Sequence, residues 1–393
     1  MVQVVVGVGH CGTKIVDEIY ENKEMFELTY PIALNSEAQE LMQLHNLKED
    51  KWVGITGNGE LVSTKGSIFG KTFGKKENFI FRNEVRGGFG NDPERAEEVI
   101  NKNKDYFKNC LDAIFPGDKI NYAYIFLGLG SGTGAGVSPE IAKYLKNRYP
   151  TTKVIAVGVM PGKSEGGRRA YAARYGMEQI AEFADSFILV DNERIFKEKN
   201  IELAYTKYNK FVANFFYHQI GGIFKHKIDP SKYSAWSGKV VDNADLLTAT
   251  MFKTGNKRYV SAISSEPIIV APKLRYILDK LKLGGLAGAN IPTSDGMKKY
   301  FEDAVSHLTV TVEDLKNVEK GFCNLVIPDK LANKEIQDKV IRDKLAEICK
   351  TEYHFGASLT KGYVMYLNLC LTMNVENVGR LHEIYEMADK FKP

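Results

Sequence analysis

Residues 128–136 read Gly-Leu-Gly-Ser-Gly-Thr-Gly-Ala-Gly and follow directly on the apolar run Tyr122–Leu127. This stretch restricts the fold more than any other in the chain. Glycine turns tightly and lets backbone N–H groups approach an anion with no Cβ in the way. A helical pattern follows, roughly Val137–Asn147, and its N-terminal partial positive charge favours phosphate. Ser131 and Thr133 add hydroxyl donors. Strand, glycine run and helix together predict a phosphate cradle at the carboxyl end of a β-strand.

The surroundings repeat that unit. Val2–Val8, Tyr30–Leu34, Val154–Val159 and Phe187–Val190 read as strands, and Thr13–Tyr20, Ala96–Phe115 and Arg169–Ala184 as helices. Such alternation predicts an α/β domain, Rossmann-like, with a mostly parallel sheet covered on both faces. Ligands of such sheets sit beyond the carboxyl ends of the strands, where the loops starting at Gly7, Gly128 and Pro161 fall. Leu203–Phe224 reads as one long helix whose stripe of Tyr208, Phe211, Val212, Phe215 and Phe216 is core. After Thr248 the pattern changes. Strand-like runs Tyr259–Ile263, Leu308–Val312, Cys323–Ile327 and Tyr363–Thr372 interleave with helices near Leu274–Leu283, Lys334–Cys349 and Val378–Lys390. The expected organisation is a nucleotide-binding domain over 1–202, a central helix over 203–226 and a smaller α/β domain with a mixed or antiparallel sheet over 227–393.

Composition excludes several classes. A net charge of +4 over 393 residues gives no general case for nucleic-acid or membrane binding. No run is long and apolar enough for a transmembrane helix, and the N-terminus enters a strand pattern without the marks of a signal peptide. Cys11, Cys110, Cys323, Cys349 and Cys370 are scattered and form no Cys-x-x-Cys, which predicts reduced thiols in a cytoplasmic protein and no zinc site.

The first loop, Gly7-Val8-Gly9-His10-Cys11-Gly12, is formally a G-x-G-x-x-G between strand and helix. By itself it points to a dinucleotide enzyme, a reading that wants an acid at the end of the second strand and is offered Asn35-Ser36-Glu37. Gly70-Lys71-Thr72 ends like a P-loop, but Gly66 is one residue too close, and a surface turn is the better reading.

The glycine run resembles the signature loop of the tubulin/FtsZ superfamily, Gly-Gly-Gly-Thr-Gly-Ser/Thr-Gly. Ser131 replaces a glycine of the opening triplet and Ala135 the Ser/Thr. Other segments resemble the family in its own order. Gly9-His10-Cys11-Gly12 is similar to the Gly-Gln-Cys-Gly of tubulin, and Asn35-Ser36-Glu37-Ala38-Gln39 to the Asn-Thr-Asp-Ala-Gln of FtsZ. Gly87-Gly88-Phe89-Gly90-Asn91-Asp92-Pro93-Glu94 resembles the loop that senses the γ-phosphate, with Asp92 inserted or substituted. Pro161–Arg169 resembles the FtsZ loop that contacts ribose and phosphate, which implies Glu165 on a ribose hydroxyl and Arg169 near the nucleotide. Asp191-Asn192-Glu193 resembles tubulin's Asp-Asn-Glu, and Tyr205-Thr206-Lys207-Tyr208-Asn209 the start of its central helix. The resemblance implies that Tyr205 stacks on guanine and that Asn192 and Asn209 read its edge, with Asp191 as an alternative. Gly88, Gly90, Asn91, Gly130, Ser131, Gly132, Thr133 and Gly134 complete the implied contacts to GTP or GDP.

Val241-Asp242-Asn243-Ala244-Asp245-Leu246 resembles Asp-Phe-Ala-Asp of FtsZ and Asp-Leu-Thr-Glu of tubulin. On their own, two acids so spaced are as well explained by a helix N-cap and a first-turn acid. The resemblance implies that they complete the nucleotide site of the next subunit in a head-to-tail filament. Asp245 would polarise the attacking water, and Asp242 would assist or hold the shell of Mg²⁺. Hydrolysis would then require assembly, and an open head-to-tail contact makes a filament. Within the superfamily, TubZ-like proteins of plasmids and phages and CetZ-like archaeal proteins share most with the chain, with a slight lean to TubZ. That branch implies DNA segregation through a DNA-binding adaptor, although of its basic tail only Lys390 and Lys392 are present. The CetZ- or FtsZ-like alternative implies a cell-shape or division filament. A nicotinamide dinucleotide enzyme and a non-hydrolysing accessory filament protein are the readings of other classes.

Overall fold

β1 (Gln3–Val8) is wholly buried and pairs in parallel on both sides, with β2 (Tyr30–Asn35) and with β5 (Tyr122–Gly128). Val6 stands opposite Ile32 in one neighbour and Ile125 in the other. A strand covered on both faces needs an unbroken apolar run, which Val4–Val6 and Ile125–Leu127 supply. The computed structural model of the chain describes residues 2–63, 85–115, 117, 119–194, 200–224, 241–268, 290–360 and 364–391. The P-loop-like Gly66–Thr72 and the helix expected at Leu274–Leu283 lie outside them.

Chain contacts define two units, one of 1–213, 252–256 and 379–393, the other of 214–251 and 257–378. In the first unit, β3 (Trp52–Ile55), β4 (Leu61–Ser63), β6 (Lys153–Met160) and β7 (Ser186–Asp191) extend the sheet to the order β4-β3-β2-β1-β5-β6-β7. All pairs in it are parallel except β3 with β4. A two-residue strand, β8 (Lys253–Thr254), also belongs to this unit. The connections leave β1 in opposite directions, to β2 on one side and β5 on the other. That makes the carboxyl end of β1 the switch point where such sheets bind ligands.

The second unit holds β9 (Lys257–Ile268), β10 (Val318–Pro328), β11 (Glu352–Thr360) and β12 (Met365–Asn374). β10 pairs in parallel with β11 and antiparallel with β12, which pairs antiparallel with β9. The sheet is therefore mixed.

Several expected elements differ in instructive ways. The helix expected over Ala96–Phe115 is two, Pro93–Lys102 and Lys104–Ile114. Asn103 parts them, with its side-chain amide turned to the carbonyls of Asn58 and Val99. An asparagine that bonds nearby backbone competes with the helix ladder. Leu308–Val312 is not a strand. It is a connection, buried over Leu308–Val310, in which Thr309 N–H donates to Ile263 O and Ile263 N–H to Thr309 Oγ1 (2.8 and 3.0 Å). The side chain closes the pair, and no ladder follows. Lys334–Cys349 is helical only over Lys339–Ile348. The terminal helix, Gly379–Phe391, groups with the first unit rather than with residues 227–378. It lies along the helix Gly167–Ile180 through the rings of Tyr171 and Phe391 and the Arg174–Asp389 ion pair (2.6 Å).

Candidate functional site

The carboxyl ends of β1, β2, β5 and β6 open into one cleft of about 940 Å³ within the first unit. Its floor is set by two glycines. Gly9 has φ +69°, a conformation that favours glycine. A Cβ on Gly12 would lie 2.1 Å from Phe126 O, so the helix Gly9–Ile19 can lie on β5 only with glycine there. His10 and Cys11 follow Gly9 into the lining. Cys11 lies against Gly128, and burial, reinforced by the charge of Glu165, pushes its thiol up to about 12.

The glycine run itself is helical from Gly132, not from Val137. Ser131 is the N-cap: its Oγ accepts from Gly134 N–H and donates to Gly128 O (both 3.0 Å). Thr133 Oγ1 meets Ser36 Oγ at 2.5 Å, tying the run to the end of β2. Gly130, Ser131 and Thr133 line the cleft; Gly132 and Gly134 do not. The latter two were expected among the phosphate donors. Their N–H groups are instead used inside the protein, Gly132's on Gly90 O (2.7 Å) and Gly134's on the Ser131 cap. Their missing Cβ atoms make room for Gly90 O and Gly128 O.

The loop 85–91 forms a second wall. Asp92 caps the helix Pro93–Lys102 by accepting from Arg95 N–H (3.0 Å), with proline at the first helical position. Gly88, Gly90 and Asn91 face the cleft. A Cβ on Gly90 would meet nothing within 4 Å, so this wall borders open space. Asn35 lines the cleft at the end of β2, where its amide donates to Glu40 Oε2 (2.7 Å) and its oxygen accepts from Ser36 N–H (2.8 Å).

The remaining wall comes from the loops after β6 and β7 and from the central helix, Ile201–Phe224. Glu165 and Arg169 both reach the lining, joined to each other as an ion pair, and Glu165 also accepts from Gly162 N–H (2.8 Å). Tyr205 and Asn209 lie four residues apart on one helical face and both line the cleft with Asn192. Burial, with the charge of Glu165, raises the Tyr205 hydroxyl above its ordinary value and keeps it a donor. Asp191 lies outside the lining. Its buried carboxylate pairs with Arg380 Nε (3.2 Å) and accepts from Glu193 N–H (3.0 Å), so the alternative base-reading role does not fit it.

Sequence reasoning missed Lys14, Asp17, Ser36, Glu202 and Thr206, which share the lining. Asp17 is buried and accepts from the N–H groups of His45, Asn46 and Leu47 (2.9, 2.9 and 2.8 Å). Glu202, Tyr205, Thr206 and Asn209 follow one another at helical steps, Glu202 to Thr206 and Tyr205 to Asn209 four apart, and that pattern was the available signal.

Asp242 and Asp245 belong to the second unit. They form a reciprocal cap on the helix Asn243–Ala249. Asp242 Oδ1 accepts from Ala244 and Asp245 N–H (2.8 and 2.9 Å), and Asp245 Oδ2 accepts from Asp242 N–H (3.0 Å). Asp245 Oδ1 is met by His354 Nδ1 at 3.0 Å. The pair thus fills the capping role that its spacing allowed, and Asp242 is exposed.

The cleft fits a nucleoside triphosphate in size, in its glycine walls and in its mixture of donors. Its volume lies in the range of small-molecule sites. Among the described residues no group of three or more His, Cys, Asp or Glu could hold a metal ion.

Residues 3–200 match the family model described as "Tubulin/FtsZ family, GTPase domain". The tubulin-like protein CetZ of Thermococcus kodakarensis is 30% identical over 209 residues, 52% of this chain and 47% of that protein. The chain thus spans about half the length of this relative. CetZ1 of Haloferax volcanii is 26% identical over 395 residues, covering 98% of this chain and 90% of that one. Among solved structures, the GDP-bound monomer of Haloferax volcanii CetZ1 superposes over 100% of both chains with TM-score 0.69 at 20% identity. A GTPγS-bound protofilament of CetZ2 from the same organism gives TM-score 0.67 at 16%, again over 100% of both chains. A TubZ protofilament of Bacillus thuringiensis gives 0.63 at 13%, over 99% of this chain and 90% of that one. These structural likenesses carry the fold.

Proposed function

Because the chain belongs to the tubulin/FtsZ family, we propose that it binds GTP and GDP in the cleft, assembles head to tail and hydrolyses GTP on assembly. The observation that carries this reading is the convergence of three glycine-bearing loops with Tyr205, Asn209 and Asn192 on one cleft. The loops offer backbone N–H groups to phosphate, Tyr205 a ring to stack on, and the two asparagines a donor and an acceptor each for a base edge. Glu165 would accept from ribose while keeping Arg169 beside it. The GDP and GTPγS described for the Haloferax structures support the choice of guanine, and the protofilament of CetZ2 supports self-association.

Among the described residues the lysine in the lining is Lys14, on the helix Gly9–Ile19, and none comes from a P-loop. In this reading the acids that orient water come from the next copy of the chain. Asp245, held by His354, takes up the water proton, and Asp242 assists. Mg²⁺, bound with the nucleotide, would supply charge neutralisation at the phosphates. The cellular role that we favour is that of a CetZ-like cell-shape filament. The slight lean to TubZ-like DNA segregation is set aside, because CetZ proteins are matched over half of the chain at 30% identity and over 98% of it at 26%.

Light scattering with parallel phosphate release, after GTP, ATP or GTPγS is added with Mg²⁺, tests the reading. Scattering specific to GTP, with release rising steeply above a critical protein concentration, is the expected result. In Asp245→Ala, polymers should persist while release stops. Guanine nucleotide bound without scattering at any concentration would remove the filament. Binding of a nicotinamide dinucleotide instead would favour the dinucleotide enzyme.

A further inference from the structure

We propose that Arg380, from the terminal helix, is a positioning residue of the cleft: it ties the loop after β6 to the loop after β7 and so fixes the wall that carries Glu165 and Asn192. The inference rests on the reading of the cleft as a guanine-nucleotide site.

Arg380 is only 9% exposed, and its guanidinium makes three contacts in three directions. Nε donates to Asp191 Oδ1 at the end of β7 (3.2 Å). One terminal nitrogen donates to the carbonyl of Pro161 at the end of β6 (2.5 Å). The other donates to Glu383 on its own helix (3.1 Å). Pro161 itself lines the cleft, and Asp191, the last residue of β7, is one position from it. Asp191 precedes Asn192, and its Oδ1 also accepts from Glu193 N–H. Pro161 precedes Gly162, whose N–H goes to Glu165. Lys163 crosses the same gap, its N–H on Glu193 Oε2 and its ammonium on Glu383 Oε1 (both 2.7 Å).

The chemistry explains why the residue is arginine. A planar fork with five donors can serve a carboxylate, a carbonyl and a second carboxylate at once; lysine is a point charge on a flexible stem. Burying an ion pair is a poor way to gain stability, because desolvation consumes most of the attraction. Joining two loops that no strand pairing joins beyond Met160 and Asp191 is a different use. Coupling of this kind is reciprocal. If the docked helix favours the nucleotide-ready wall, bound nucleotide must favour the docked helix by the same factor.

The test uses the full chain, with GTP and ATP affinities measured by displacement of a fluorescent GTP analogue. Arg380→Lys keeps the charge but cannot span both loops, and Asp389→Asn loosens the same helix at Arg174 without touching either loop. In Arg380→Lys, GTP affinity should fall about tenfold and the ratio of GTP to ATP affinity should fall with it; Asp389→Asn should bind as the wild type does. In the wild type, GDP should slow amide exchange across 379–391. The exchange measurement needs no variant, so it decides the matter even if Arg380→Lys fails to fold. A folded Arg380→Lys that binds GTP within twofold of wild type, or exchange across 379–391 that ignores GDP, overturns the clamp alone. Wild-type protein that binds no guanine nucleotide overturns the functional reading and the clamp with it.

Discussion

His354 Nδ1 stands 3.0 Å from Asp245 Oδ1, while the N–H of Asp242 holds the other oxygen of the same carboxylate at the same distance. Asp245 is therefore fixed from two sides, by a strand residue distant in sequence and by its own helix cap. Glu352 lies 4.0 Å from His354 Nε2 and is itself paired with Lys320 (2.8 Å), which also donates to Thr248 O at the far end of the short helix (3.1 Å). Both ends of Asn243–Ala249 are thus tied to β10 and β11.

If the carboxylate of Asp245 orients water in the filament, its orientation matters as much as its presence. His354→Leu removes one of these restraints and should lower phosphate release per polymer roughly tenfold, on the scale of one charge-assisted hydrogen bond. Asp245→Ala should lower it to background. Neither should change GTP affinity, since the cleft lies in the other unit. Release normalised to pelleted polymer measures the effect, and full turnover in His354→Leu would refute it.

Gly12 and Gly90 should respond differently to the same added methyl group. At Gly12 a Cβ would sit 2.1 Å from Phe126 O, so Gly12→Ala must push the first helix off β5. We expect a loss of about 3 kcal/mol, the upper end of the cost of overpacking. At Gly90 the space is open and only φ +58° resists. Gly90→Ala should cost about 1 kcal/mol. Urea midpoints at unchanged slope will separate the two.

Asp17 accepts three backbone N–H groups with one buried carboxylate, and His45, one of the three donors, lines the cleft. Asp17→Ala leaves these donors unpaired and should cost about 3 kcal/mol. The 45–47 turn should then show faster amide exchange. Wild-type stability in the variant would show that water replaces the carboxylate.

The Cys11 thiol, pushed up to about 12 by burial and then by Glu165, stays protonated through the physiological range. An unfolded thiol ionises near about 8.5. The folded state therefore disfavours the thiolate. Whatever stability Cys11 lends is complete below about pH 8.5 and is lost as the pH climbs toward about 12. Iodoacetamide at pH 8 should label Cys11 far more slowly in the native protein than after denaturation. Equal rates, read by mass spectrometry, would contradict the raised thiol.

Much of this was legible in the amino-acid order. The apolar runs around Val4–Val6 and Ile125–Leu127 allow only strands buried on both faces. The glycines between those strands and the following helices mark the cleft, and the four-residue spacing of Tyr205 and Asn209 puts them on one face. Local pattern was weaker where a side chain intervened. Asn103 split a helix and Thr309 halted a strand by bonding to backbone themselves, which apolar periodicity does not register. β11 went unseen because its first three residues are partly exposed and its pairing partner, β10, precedes it by a long stretch of chain.

Periodicity and glycine placement depend on near neighbours, so the sequence by itself determined the parallel sheet, its switch point and the loops that meet there. The tertiary structure decided which polar atoms those loops still have to offer. Gly132 and Gly134 spend their N–H groups on Gly90 and Ser131, and Asp191 spends its carboxylate on Arg380, nearly two hundred positions away. A buried hydrogen-bonding group takes whichever partner folding brings within reach, and that partner is set by packing rather than by spacing along the chain.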